Sequence, residues 1–220
     1  MTKVLAIAAT VFLGASYPMH AAANTVSFNF NGSGVSGNVV VTYGAATDAK
    51  YPEAFEVTGI GGSFSDSNNG LNLVNAPILG LVPINHATPE PANLLAPNDF
   101  SRFFVANGTD HGFLSYDNLF WPGGSPQTAS DYPFHGGFLD IYGLLFDIGD
   151  GKVVNLWSDG GFDGNGPGPL TYGVAVATAD TALDYVFMGV DAALPEPSSY
   201  ALVLAGLGLL GYSARRRKQS

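Results

Sequence analysis

The chain of 220 residues contains no cysteine. Disulfides, thiol nucleophiles and cysteine-ligated metals are therefore excluded, and an exported domain of this sequence rests on its core or on bound ions. Positive charge is also scarce. Eight Lys and Arg stand against 18 Asp and Glu, for a formal charge of −10. Between Asn24 and Leu194 only Lys50, Arg102 and Lys152 are basic, and every acidic residue except Glu196 lies there. So acidic a surface excludes nucleic acid and anionic lipid head groups as partners. It suits a soluble external protein, divalent cations or a cationic partner.

Several catalytic signatures are missing. No G-x-S-x-G elbow occurs: Gly32-Ser33-Gly34 and Gly62-Ser63-Phe64 lack its frame and its strand-to-helix context. The glycines sit between strand-like segments with no following helix, which excludes a P-loop and a dinucleotide fingerprint. The spacing of His86, His111 and His135 matches no ligand motif. Asp110 beside His111 would need a placed serine to complete a triad. No stretch of ten or more residues between the termini reads as a soluble helix, and no internal repeat is visible.

What the chain does have is two marked ends. Met1 to Ala23 carries one early base, Lys3, then the apolar run Val4–Ala15 and the small residues Ala21-Ala22-Ala23. That is the plan of a secretory signal peptide, with cleavage expected after Ala23 and Ala21 and Ala23 as its small-residue positions. His20 falls inside the segment so removed. At the other end, Ser198–Ala214 is uncharged and is followed by Arg215-Arg216-Arg217-Lys218. As a helix it would measure about 26 Å, short against a hydrocarbon core of about 30 Å. Tyr200 and Tyr212 bracket the run as interfacial aromatics, and the basic cluster should stay cytoplasmic. Everything before Pro195 is then outside the cytoplasm. Pro195-Glu196-Pro197 precedes the run, and its two prolines hold that segment extended, where an enzyme can grip the backbone.

The order of Pro195-Glu196-Pro197, short apolar helix 198–214 and basic end 215–220 resembles the PEP-CTERM sorting signal of exported bacterial proteins. The resemblance implies cutting near the tripeptide by an exosortase, a membrane transpeptidase, and release to the cell surface or an exopolysaccharide matrix. Exosortase and signal peptidase are then the partners during export, with the inner membrane as a temporary anchor and exopolysaccharide as a later partner. Tyr116–Phe120, Gly143–Phe146, Val153–Trp157 and Tyr172–Val174 are similar to segments of uncharacterised PEP-CTERM proteins, and carry over no catalytic residue. Three regions follow: signal peptide 1–23, mature domain 24–194 and sorting signal 195–220.

The mature region reads as β structure nearly throughout. Val26, Phe28 and Phe30 alternate with polar residues, Asn31–Gly34 is turn-like, and Val35–Tyr43 alternates again. Phe55–Ile60 and Phe64 predict two short strands around Gly59–Gly62. Arg102–Val105, Gly112–Phe120, Leu139–Phe146, Val153–Trp157, Tyr172–Thr178 and Leu183–Val190 are the remaining strand candidates. The segments 85–97 and 122–133 read as Pro- and Gly-rich loops. Many short strands with such connections predict an all-β, two-sheet, jelly-roll-like sandwich, with a closed barrel as the alternative.

Three chemistries have candidates. Glu53 with Glu56, Asp147 with Asp150, and Asp159 with Asp163 are carboxylate pairs of the kind glycoside hydrolysis uses, and Trp121, Trp157 and Tyr172 are aromatics of the kind that stack sugars. The Gly-rich stretch from Asp147 to Gly168 places Asp159, Asp163 and Asn165 as hard oxygen ligands for Ca²⁺, though without the EF-hand spacing. Asn31-Gly32-Ser33 and Asn107-Gly108-Thr109 fit N-x-[ST] and read as turns. The function expected from these features is that of a non-enzymatic cell-surface or matrix protein without a resident cofactor. A carbohydrate-binding module, with or without Ca²⁺, and a polysaccharide hydrolase are the alternatives.

Overall fold

The computed structural model describes residues 24–47, 52–85, 100–105, 112–126, 135–162 and 167–189. The signal-peptide and sorting-signal segments, 1–23 and 195–220, and their expected helices lie outside these. Among the described residues no helix is long and apolar enough to cross a membrane.

The described chain is all-β apart from one 3₁₀ turn, Asn68–Gly70. The alternation of Val26, Phe28 and Phe30 makes β1 (Asn24–Gly32), whose apolar side chains are buried and whose intervening residues are exposed. A tight turn at Ser33-Gly34 leads into β2 (Val35–Thr47), in register from Gly32↔Val35 to Asn24↔Tyr43. β3 (Phe55–Asp66) is one strand rather than the expected two. Ladder pairing carries it through Gly59–Gly62, opposite Val39 to Thr42 of β2. β4 (Leu73–Pro77) and β5 (Gly80–Leu81) follow. β6 (Ser101–Phe104) and β7 (Phe113–Tyr116) form a separate two-stranded ribbon. The stretch expected as one strand over 112–120 instead turns a corner at Asp117-Asn118 into β8 (Leu119–Phe120). β9 (Leu144–Gly149), β10 (Lys152–Phe162), β11 (Pro167–Ala177) and β12 (Ala182–Gly189) close the domain.

These strands build two antiparallel sheets. The first runs β1-β2-β3-β4 with β8 added on β3, and the second runs β12-β11-β10-β9-β5. Each sheet is a meander of neighbours from one half of the chain, exchanging one short strand with the other. Jelly-roll connectivity interleaves strands through Greek keys; here the interleaving is confined to β5 and β8. One core lies between the sheets. Val26, Phe28, Phe30, Val39 and Phe64 of the first sheet pack with Phe146, Val154, Leu156, Tyr172, Val174 and Met188 of the second. Burying a side chain such as Phe64 contributes on the order of 2–3 kcal/mol.

Over β9, β10 and β11 the second sheet is buried on both faces. The β6–β7 ribbon lies over its outer side, and Val105, Leu114 and Tyr116 pack there with Leu145, Val153, Trp157, Ala175 and Ala177. This explains why β9 reads as a continuous apolar run, Leu144-Leu145-Phe146, instead of alternating.

Candidate functional site

The outer face of the second sheet carries two exposed aromatic residues on β12, Tyr185 and Phe187. Along β11 this face presents only small residues, Gly173, Ala175 and Ala177, while β10 and β12 present large ones. The result is a trough. Trp157, Gly173 and Phe187 form one cross-strand row, and Asn155, Ala175 and Tyr185 form the next. The Trp157 indole lies over Gly173, where any Cβ would collide with it. Its ring centroid is 5.3 Å from Tyr185 and 6.0 Å from Phe187, and those two rings meet edge-on at 5.4 Å. Tyr185 and Phe187 remain 41% and 45% exposed.

The β6–β7 ribbon forms the other wall. Between ribbon and sheet is an open groove of about 160 Å³, lined by Phe113, Leu114, Ser115, Asn155, Trp157 and Tyr185. The Arg102 guanidinium lies over the Phe113 ring at 4.4 Å and near the buried Phe100 ring at 5.1 Å. Burial raises the Tyr185 phenol above its ordinary pKa, and the charge of Asp159 adds to the rise. Tyr185 thus stays a neutral hydroxyl that donates and accepts at the groove edge.

Beneath the groove lies a buried polar seam. Asn118, in the left-handed conformation at φ 54°, joins the two sheets. Its carbonyl accepts from Val57 N–H of β3, its Oδ1 accepts from Leu145 N–H of β9, and its Nδ2 donates to the Val82 carbonyl. Asp140 Oδ1 accepts from the N–H groups of Tyr142 and Gly143, and Asp117 Oδ1 accepts from Leu119 N–H. The two carboxyls are neighbours in the seam. Burial raises Asp140 above the usual carboxylate range, and the bond to Asp117 and those backbone donors work against the rise. Asn155 Nδ2 donates to the carbonyls of Tyr142 and Leu144, fixing the same corner to β10.

A second carboxyl pair stands where β3 and β12 place their inner faces at one end of the core. Asp66 is fully buried, and burial together with the charge of Asp184 raises its pKa to about 6. Its Oδ1 accepts from Asn68 N–H, and Asp184 accepts from the side-chain amides of Asn68 and Asn69.

The residues singled out in the sequence are distributed otherwise. Trp121, Trp157 and Tyr172 are buried, so none offers a free sugar-stacking platform. Trp121 packs with Ala54 and Leu119, and the Tyr172 hydroxyl accepts from Phe138 N–H. Glu53 and Glu56 are exposed beside and within β3. Asp147 Oδ1 accepts from Gly149 N–H in the β9–β10 turn, and Asp150 faces Lys152 at 3.7 Å, a surface pair. Asp159 sits within β10, half-buried, rather than in a loop. His135 is exposed. Asp163, Asn165, His86, His111, Asp110, Asn107, Ala21, Ala23, Pro195, Glu196, Pro197 and Arg215 to Lys218 lie outside the described residues. Among those described, no group of three or more His, Asp or Glu is placed to hold a metal.

Neither carboxyl pair was singled out from the sequence. Strand parity does mark one of them. Asp184 shares its face of β12 with Val186 and Met188, and Asp66 shares its face of β3 with Phe64, so both point inward. No local signal marks Asp117 against Asp140, which are brought together by the corner at Asn118.

No curated protein and no solved structure matches the chain. Residues 193–218 match the PEP-CTERM protein-sorting motif, spanning the Pro-Glu-Pro tripeptide, the apolar run and the basic cluster, which is the signal of an exported protein directed to an exosortase.

Proposed function

We propose that the chain is the precursor of a non-enzymatic protein of the cell surface or exopolysaccharide matrix. The single observation that carries the reading is the sorting motif at 193–218. In this reading the signal peptide 1–23 is removed after Ala23. The helix 198–214 then holds the domain outside the inner membrane until an exosortase cuts near Pro195-Glu196-Pro197. The mature domain is a two-sheet β-sandwich whose strongly acidic surface keeps it soluble and repels anionic polymer. Cell fractionation tests this reading. With a working exosortase the protein is recovered outside the cell without its tail, and without one it stays with the membrane. Recovery from the cytoplasm, or with the tail intact despite the exosortase, overturns it.

A second reading is supported by the exposed Tyr185 and Phe187 beside the groove. In it the domain holds a neutral matrix polysaccharide, whose apolar ring faces lie on those aromatics and on Phe113. Affinity electrophoresis of the released protein in gels containing neutral glucan or galactan tests it. Retardation that disappears in the Tyr185→Ser/Phe187→Ser chain supports the reading; unretarded migration in every neutral gel counts against it. The hydrolase reading has less support, because the described carboxylate pairs sit at turns, on the surface or sealed within the core. A Ca²⁺-dependent version of the carbohydrate-binding reading would use Asp159, Asp163 and Asn165, with carbonyls of the neighbouring Gly-rich segment as further oxygen ligands.

A further inference from the structure

Among the described strands β12 pairs with β11 alone, which makes it an edge of the second sheet. An edge strand offers its row of backbone groups to any other strand that reaches it, and proteins commonly block such edges with Lys, Pro or a bulge. The sequence of β12, ALDYVFMG, contains no Lys, Arg or Pro. Its one charge, Asp184, faces the core and is buried. Tyr185, Val186 and Phe187 favour strands, and Tyr185 and Phe187 leave an exposed aromatic face. On composition alone this edge recruits a further strand.

The first sheet covers it. β1 approaches β12 along this side of the sandwich. From the β1–β2 turn, Ser33 Oγ donates to the Phe187 carbonyl at 2.7 Å. From the 3₁₀ turn after β3, Asn69 Nδ2 donates to the Leu183 carbonyl at 3.1 Å. Leu183 and Phe187 are four residues apart, so strand parity aims both carbonyls the same way, out from the sheet edge. These are acceptors that an added strand needs. Both caps are held in place by the chain around them. Asn69 Nδ2 also donates to Asp184 Oδ1 at 2.9 Å, and Asn68 Nδ2 joins Asp184 Oδ2 at 2.9 Å to the Ser33 carbonyl at 2.8 Å. The buried Asp184 thus orients both turns. We propose that Ser33 and Asn69 are edge guards, which occupy outward carbonyls of β12 and so stop it from pairing antiparallel with β12 of a second copy of this chain. A second copy fits because the strand is self-complementary. Each copy brings an edge without outward charge, and a two-fold axis near Tyr185 sets aromatic beside aromatic and closes the pair as a dimer. The guards keep the domain monomeric and leave Tyr185 and Phe187 open beside the groove.

The test is cross-linking of the full chain in detergent with a short bis-maleimide, one reporter thiol at a time, since the chain has no cysteine of its own. Tyr185→Cys reports on the β12 edge. Val74→Cys, 78% exposed on β4 at the edge of the other sheet, reports on unspecific contact. Each reporter is placed in the chain with its guards and in the Ser33→Gly/Asn69→Gly chain. Ser33 and Asn69 have φ of 51° and 48°, where glycine is unstrained, so the substitutions remove the hydroxyl and the amide and keep the turns. Removing the guards is expected to raise the dimer yield at position 185 by about tenfold, the scale of two hydrogen bonds that pairing otherwise has to break. The yield at position 74 stays the same. Ser33→Gly alone keeps the Asn69–Asp184 bond and gives a smaller rise. Sedimentation velocity of the chains without a reporter supplies a second reading, with a larger dimer fraction when the guards are absent. Equal yields at position 185 with and without the guards overturn the proposal, and so does an equal rise at both reporters. A larger dimer fraction without cross-linking at 185 also overturns it, because pairing then uses another surface.

Discussion

The Asp117–Asp140 and Asp66–Asp184 pairs are the same chemistry in two settings. In the seam both residues are sealed, at 5% and 3% exposure, and their Oδ1 atoms are bound by backbone N–H groups of the corners at 117–119 and 140–143. At the pole the donors to Asp184 are side-chain amides, and the pair lies beside a surface turn. Backbone donors cannot be withdrawn without unfolding the corner, whereas side-chain amides rotate. The seam therefore acts as a fixed staple between sheets, and the pole as the place where a proton exchanges.

The largest test of that contrast is Asp140→Ala. It strips the acceptor from two buried N–H groups and removes the carboxyl beside Asp117, at a cost of about 3 kcal/mol in urea denaturation. Asp140→Asn keeps an acceptor for the corner, adds a donor for Asp117, and is expected to cost about 1 kcal/mol. A smaller loss for Asp140→Ala than for Asp66→Ala would reverse the assignment of staple and exchange site. Next comes Gly34→Ala at the pole. A non-glycine residue at φ +82° that also meets the Asn68 amide should cost about 1–2 kcal/mol. It should weaken the pole without moving the Asn118 junction, which amide hydrogen exchange of Val57 and Leu145 would report.

The pH response separates the pairs by sign and window. The Asp66 carboxyl holds its proton to about pH 6 in the fold, against 3.8 as the reference for the unfolded chain. The folded state thus binds more protons between these values. Its contribution to stability is full below pH 3.8 and is lost as pH rises towards 6. Melting midpoints in EDTA should fall by about 2–4 °C across this window, the scale of 1 kcal/mol for a domain of this size. The Asp66→Asn chain should lose this component. A slope that survives in Asp66→Asn and vanishes in Asp140→Asn would assign the titration to the seam. The smallest effect is expected away from both pairs. Tyr185→Ser and Phe187→Ser remove exposed rings and should each change stability by about 0.5 kcal/mol or less, while removing retardation in polysaccharide gels.

Period-two patterning made much of this fold legible. Val26-Phe28-Phe30, Val35–Tyr43 and the strands at 153–157 and 172–178 were readable because each side chain's face follows from its parity. The same rule misplaces the Gly59–Gly62 break, since ladder partners on β2 rather than side chains keep β3 continuous there. β5 and β8 have two residues each, too few for any period, and they exist only because a formed sheet edge accepts them. The aromatic groove was half legible. Tyr185 and Phe187 lie two apart on β12, but the ribbon that walls the groove comes from 101–116 and docks by long-range contact. Trp121, Trp157 and Tyr172 misled as a sugar platform because a large aromatic serves a core equally well. The sorting tail was readable outright, since its signal is linear and depends on no tertiary neighbour.

Intact mass spectrometry of the protein recovered from outside the cell tests the central claim most directly. The account predicts a chain beginning at Asn24 and ending close to Pro195-Glu196-Pro197, with any attached group visible as added mass at that end. A recovered chain that still carries residues 198–218 would contradict it.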